Sequence, residues 1–252
     1  MTATHLYIVT GASRGLGQAI ARQLLTAGNT VLCISRSADP ALEAHAASAG
    51  ADFHAWQADL TDAAPVAARL VQWLQSCDEA HHTGATLINN AALLPAVVPL
   101  RDAAAADTIA ALRVGLEAPM LLTSAFLSAT RTWQSPRKVL NISSGLGRRP
   151  MASQSAYCAL KAGMDMFTRC AALDEALQPH GARLCSLAPG VIDTGMQQHL
   201  RGSDPKAFPD VARFAGLHAS GQLASAEATA RAVLQRLARP DFGDEPIADV
   251  RD

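Results

Sequence analysis

The chain has 252 residues and a formal net charge of −1, with 21 basic and 22 acidic residues scattered along it; that is enough to bury one sizeable core, with no electrostatic footprint for nucleic acid or an anionic membrane. No Pro-, Gly- or Ser-rich linker divides it, the opening MTATHLYIVTGAS lacks a secretory signal pattern, and no uninterrupted apolar run reaches membrane-span length, so one domain over 1–252 is expected. The 5 cysteines (Cys33, Cys77, Cys158, Cys170, Cys185) are dispersed and lack CxxC spacing, which argues against disulfides and metal and for a reducing, cytoplasmic setting.

Short apolar runs alternate with longer amphipathic, alanine-rich stretches, the pattern of a doubly wound α/β domain on a parallel seven-stranded sheet. A first strand over 6–10 leads into TGASRGLG and then a helix over 16–27. Glycines at 11, 15 and 17 let the backbone approach a pyrophosphate, whose charge the helix N-terminus stabilises. No Gly-Lys-Ser/Thr follows, so this is not a P-loop. The second strand, 30–35, ends in Ser35-Arg36, where an acidic residue would favour NAD. Arg14 and Arg36 can flank a 2′-phosphate with bidentate hydrogen bonds, so the reading favours NADP and NADPH.

Asp59 follows a third strand over 53–58, Asn89-Asn90-Ala91-Ala92 ends a fourth over 86–90, and Asn141-Ile142-Ser143-Ser144 ends a fifth over 138–143. Singly, each is a polar strand end or a helix cap. Together they mark the carboxyl edge where open α/β sheets bind ligands. His81 and His82, between the third and fourth strands, read as a solvated loop rather than metal ligands. A helix over 102–130 precedes the fifth strand, and one over 153–177 carries Tyr157, one of 2 tyrosines, four residues before Lys161. On one helix face that spacing sets an ammonium beside a phenol and favours the phenolate, while Cys158 reads as a packing residue. A sixth strand over 183–188 leads into Pro189-Gly190-Val191-Ile192-Asp193-Thr194. Residues 195–224 break the rhythm and read as a mobile lid with Met196, Phe208, Phe214 and Leu217 as apolar contacts, before a helix over 225–238 and a last strand over 246–250.

These motifs, with Ser144 thirteen residues before Tyr157, resemble the short-chain dehydrogenases/reductases over the whole chain. SLAPGVIDTGMQQ and GDEPIADVRD look most like the sepiapterin reductase and benzil reductase branch. The resemblance implies a Rossmann domain, a small-molecule carbonyl substrate, and a homodimer or homotetramer. It makes Tyr157 the acid/base and Ser144 the hydrogen-bond donor to the carbonyl oxygen, with Lys161 binding the nicotinamide ribose and lowering the Tyr157 pKa. Gly11, Ser13, Arg14, Gly15, Leu16 and Gly17 would cradle the cofactor with Arg36. Asp59 would meet the adenine amino group, Asn89 and Ala91 would support the adenosine side, and Pro189, Gly190, Ile192 and Thr194 would hold the carboxamide and pyrophosphate.

Two positions depart from the pattern. The family usually has a relay Asn where this chain has Gly115, so the relay would use another group or a carbonyl exposed by a local helix irregularity. The pterin-anchoring Asp of the sepiapterin branch corresponds to Gly195, which disfavours a pterin substrate. The expected function is an NADPH-dependent carbonyl reductase acting on a ketone or diketone. The alternatives are an alcohol dehydrogenase working oxidatively and a dinucleotide-binding sensor or scaffold without turnover.

Overall fold

The structure, a computed structural model, describes residues 4–252. Its strands are β1 (Thr4–Thr10), β2 (Asn29–Ser35), β3 (Asp52–Gln57), β4 (His82–Asn89), β5 (Arg137–Ile142), β6 (Arg183–Ala188) and β7 (Ile247–Asp249). They form one parallel sheet in the order β3-β2-β1-β4-β5-β6-β7. The chain winds outward from β1 in one direction and then restarts at β4 in the other. A crevice therefore opens at the carboxyl ends of β1 and β4, the switch point where such sheets bind ligands.

Alternating side chains along the strands feed two cores. Leu6, Ile8, Leu32, Leu87 and Val139 meet α3 (Ala63–Ser76) and α5 (Ala118–Ala129) through Leu70, Leu74, Leu122 and Phe126. Val9, Val31, Ile88, Leu140 and Leu187 face the other way, onto α1 (Gly15–Leu24), α2 (Pro40–Ala49) and α9 (Ala226–Ala238). The register supports this division, since Ile8 lies opposite both Leu32 and Leu87. α2 has clear local causes: Asp39 caps it by accepting from the Ala41 N–H at 3.0 Å, Pro40 starts it, and Gly50 ends it at φ +66°.

The stretch expected as one helix over 102–130 is α4 (Ala105–Leu112) joined to α5 by a π-helical turn at Arg113–Glu117. A Cβ on Gly115 would lie 2.9 Å from Leu160 Cδ1, and one on Gly163 would lie 3.0 Å from Leu116 Cδ2. Two glycines thus let this segment approach α6 (Ser155–Ala176) closely. Ala105–Ala129 is long and apolar enough on average to pass for a membrane span, although Asp107, Arg113 and Glu117 interrupt its apolar run, as expected from the sequence. Half of that window is buried within the fold, where it serves as a core helix.

Residues 195–224 hold two short helices, α7 (Gly195–Arg201) and α8 (Val211–Ala219), where the sequence suggested irregular chain. Leu200, Phe208 and Phe214 pack with Val97, from the loop after β4, into a small core of their own. The excursion has a closed base. Ile192 and Ala224 form a parallel bridge, Asp193 N–H donates to the Ala224 carbonyl at 2.9 Å, and Ala224 N–H donates to the Val191 carbonyl at 3.1 Å.

Candidate active site

The glycine turn is braced from β4. The Thr10 hydroxyl accepts from the backbone N–H of Asn90 and of Ala91, each at 3.0 Å, while the Asn90 carboxamide donates to the Thr10 and Gly11 carbonyls at 3.0 and 3.3 Å. Gly11 has φ +69°, and a Cβ there would come within 2.9 Å of Ala91 Cα, so glycine is required for both conformation and space. A Cβ on Gly17 would collide with the Asn90 side chain and the Gly11 carbonyl. At Gly15 a Cβ would meet Thr194 Cγ2 at 3.7 Å, so the turn and the segment after β6 converge across the crevice. α1 begins at Arg14 with no side-chain cap and no acidic residue in its first turn, which leaves its leading N–H groups for an anion. Leu16 is buried under the turn, whereas Ser13 is half-buried. These residues fit a dinucleotide pyrophosphate.

Arg14 and Arg36 are both exposed on this rim. Asp59, also exposed, accepts from the Thr61 N–H at 2.9 Å; that bond, with a smaller effect from Arg36, holds its carboxyl below the usual range. The Asn89 side chain turns inward instead. It is 1 % exposed and donates to Thr123 Oγ1 at 3.1 Å and Asn141 Oδ1 at 2.9 Å, so it acts as a strut behind the crevice rather than a wall of it. Pro189 and Ile192 are buried, and Gly190 turns the chain at φ +80°. Thr10 and Asn90 lie in motifs the sequence marks out, but their bracing role is not among its expectations. Their signal is adjacency to the glycine turn and to Asn89.

Ser144, Tyr157 and Lys161 come together where β5 ends against α6. Tyr157 is buried in an apolar cluster with Ala111 and Leu160, onto which Leu146 and Met196 pack. Lys161 is 2 % exposed and donates to the Ile142 carbonyl at 2.6 Å, which sets its ammonium 5.8 Å from the Tyr157 ring centre. Burial pushes the Tyr157 phenol up to about 12, against an opposing hydrogen bond from Ser144. Burial likewise pulls Lys161 down to about 8, against the attraction of Asp165. In the protein alone, desolvation therefore outweighs the Ser144 hydrogen bond, and the phenol moves opposite to the direction the spacing suggests.

Behind the site, Asp165 accepts from the Ser143 and Ser186 hydroxyls, each at 2.6 Å, and from Arg148 Nε at 3.2 Å. Arg148 also donates to the Ala248 carbonyl at 2.9 Å, which ties β5, β6 and β7 to the face of α6 that carries Lys161. Of the apolar residues expected over the site, Met196 packs against the Tyr157 cluster; Phe208 and Phe214 belong to the small core, against which Leu217 packs. Gly115 lies in the π turn, and a Cβ on Gly195 would meet nothing within 4 Å. His82 is not a loop residue: it opens β4, its Nδ1 lies 2.9 Å from Thr4 Oγ1, and its ring stacks on Trp133 at 5.8 Å.

Relatives share this architecture. The chain is 36% identical to the benzil reductase ((S)-benzoin forming) of Bacillus cereus over 93% of its own length and 94% of that protein's. It is 31% identical to the sepiapterin reductase of Rattus norvegicus, over 97% of this chain and 95% of that one. Among solved structures, the KRED1-Pglu enzyme superposes with a TM-score of 0.79 at 29% identity, covering 95% of this chain and 98% of that one. A metagenomic short-chain oxidoreductase in complex with NADP superposes with a TM-score of 0.70 at 28% identity, covering 98% and 95%. The short chain dehydrogenase family model matches residues 5–204, and with that match the glycine turn, the Asn-Asn-Ala-Ala brace and the Ser144–Tyr157–Lys161 floor find their common explanation: the chain is an oxidoreductase of the short-chain dehydrogenase family.

Proposed function

We propose that the chain is an NADPH-dependent carbonyl reductase acting on apolar ketones or diketones, with Tyr157 as proton donor. The observation that carries this reading is the junction of β5 and α6, where a buried phenol and a buried, backbone-anchored ammonium sit one helical turn apart. When bound, the reduced nicotinamide supplies a hydride for the carbonyl carbon. The chain's own residues answer the charge that develops on the oxygen. Ser144 and Tyr157 are preplaced hydroxyl donors, and Tyr157 then passes its proton to that oxygen as the alcohol forms. A phenol held near 12 keeps this proton at neutral pH, as the reductive direction requires. Lys161, held by the Ile142 carbonyl, keeps a positive charge near the ring for the phenolate left behind.

Arg14 and Arg36 on the rim support NADPH over NADH. The likeness to benzil reductases supports a diketone, and Gly195 in place of an anchoring carboxylate argues against a pterin. The lid assignment for 195–224 rests on the contact of Met196 with the Tyr157 cluster. NADPH oxidation should proceed with benzil at a clearly higher kcat/KM than with sepiapterin, and NADH should be the poorer donor. Tyr157→Phe should reduce turnover by at least about 100-fold while NADPH affinity stays within a few-fold, because the hydroxyl acts in the transition state. Turnover by this variant near that of the parent would refute the assignment.

A further inference from the structure

Gln154 immediately precedes α6 and is 2 % exposed, yet neither its Oε1 nor its Nε2 has a hydrogen-bond partner. Buried carboxamides are nearly always bonded, because an unmade hydrogen bond in a dry site forfeits hydration without replacement. A side chain left in that condition marks a place where something else is bound. Three features locate that place. Gln154, Tyr157 and Lys161 are all buried and fall at i, i+3 and i+7, so Gln154 stands at the head of the buried face of α6 that carries the phenol. Gln154 also lines a cavity between the N-terminus of α6, the start of α4 and the loop after β4, where Pro95, Ala96 and Val98 supply apolar walls. Finally, Ser153 holds φ +60°, a conformation a non-glycine residue rarely adopts, and its hydroxyl donates to the Ala207 carbonyl of the 195–224 segment at 2.5 Å. The chain entering Gln154 is thereby tied to the 195–224 segment.

We propose that the Gln154 carboxamide binds the oxygen on the carbon next to the carbonyl being reduced, so that the site selects vicinal dicarbonyl compounds. This rests on the carbonyl reductase reading above and adds a specificity residue to it. Ser144 and Tyr157 take the oxygen that receives the proton, and a donor one turn along the same face can reach the neighbouring oxygen through Nε2. A simple ketone leaves Gln154 as unpartnered as before. A diketone satisfies it, and the product, an α-hydroxyketone, keeps the carbonyl that Gln154 holds.

The test compares NADPH-dependent reduction of benzil with that of deoxybenzoin, in which a methylene replaces the second carbonyl. Gln154→Met keeps length and helix preference but removes both polar atoms. It should lower kcat/KM for benzil roughly tenfold, the worth of one neutral hydrogen bond, and leave deoxybenzoin within about twofold. Its melting temperature should equal or exceed that of the parent, since an unpartnered buried group has gone. Gln154→Asn, which withdraws the same carboxamide by one methylene, should show the same selective loss should the Met variant fail to fold. An equal fall on both substrates, or no fall on benzil, would overturn the Gln154 assignment alone. Failure of the unmodified enzyme to reduce either compound would overturn the reductase reading and this inference with it.

Discussion

Tyr157 and Lys161 are driven by the same burial toward their neutral forms, the phenol to about 12 and the ammonium to about 8. Near neutral pH the phenol therefore keeps its proton and most Lys161 keeps its charge. As pH rises through about 8, Lys161 loses its positive charge, and under the proposed mechanism that charge stabilises a developing phenolate, so kcat/KM for carbonyl reduction should fall along a limb centred near that value. A pH–rate profile at saturating NADPH checks this, and a profile flat to about pH 10 would remove Lys161 from the role. At the far end of the crevice, the proposed preference for NADPH puts its weight on Arg36. Arg36→Asp should weaken NADPH by roughly 10- to 100-fold and NADH by little, since charge-assisted bonds to the 2′-phosphate give way to repulsion. Isothermal titration with each cofactor measures it, and equal losses for both would contradict the assignment.

The π turn at Arg113–Glu117 holds Gly115, where the resemblance leads one to expect a relay Asn. Gly115 faces Leu160 so closely that any Cβ must displace it, and Leu160 precedes Lys161. Gly115→Asn should therefore destabilise the fold by about 1–3 kcal/mol through overpacking, and adding Leu160→Ala should relieve the clash at the expense of a cavity. Thermal melts of the two variants would show the coupling, and additive losses would indicate no contact between them. The glycine turn, the strand ends and the Tyr157/Lys161 pair are legible in the sequence because each answers a local demand: a left-handed φ, a polar strand terminus, a helical spacing. Of the π turn, the sequence shows only the local helix irregularity expected at Gly115, because the close approach of Leu160 comes from another helix. α7 and α8 stay hidden for a similar reason: Leu200, Phe208 and Phe214 bury against each other and two distant loops that supply Val97 and Met151, so no periodic stripe announces them. The inward turn of Asn89 likewise needs Thr123 and Asn141, partners far away in the chain.

At the scale of the whole molecule, the end of the sheet opposite the crevice carries a pH dependence of its own. His5, on the central strand, places Nε2 3.0 Å from Thr86 Oγ1, and burial, with Lys138 and His82 adding positive charge, pulls its pKa down to about 4 from 6.5. A depressed histidine pKa means that the unfolded chain binds the proton first. The stabilising contribution is thus complete above about 6.5 and is lost as pH falls toward about 4, on the order of 2 kcal/mol once partial exposure is allowed for. Urea unfolding at several pH values should show this slope, and His5→Gln, which keeps a hydrogen-bonding side chain without titrating, should flatten it. An unchanged slope would place the proton uptake elsewhere.

The bridge between Ile192 and Ala224 gives the molecule a further property. The excursion it closes leaves and rejoins the domain at a single narrow point, and its core of Leu200, Phe208 and Phe214 meets the rest of the chain through Leu94 and Val97 of one loop and Met151 of another. Its two ends are already adjacent, so replacing its contents adds little loop-closure entropy, which grows only slowly with length. Evolution can thus rewrite this segment while the sheet and the glycine turn stay untouched. A graft of the corresponding segment from another reductase, carried with the Val97 loop, is the natural unit of exchange for moving substrate preference between scaffolds.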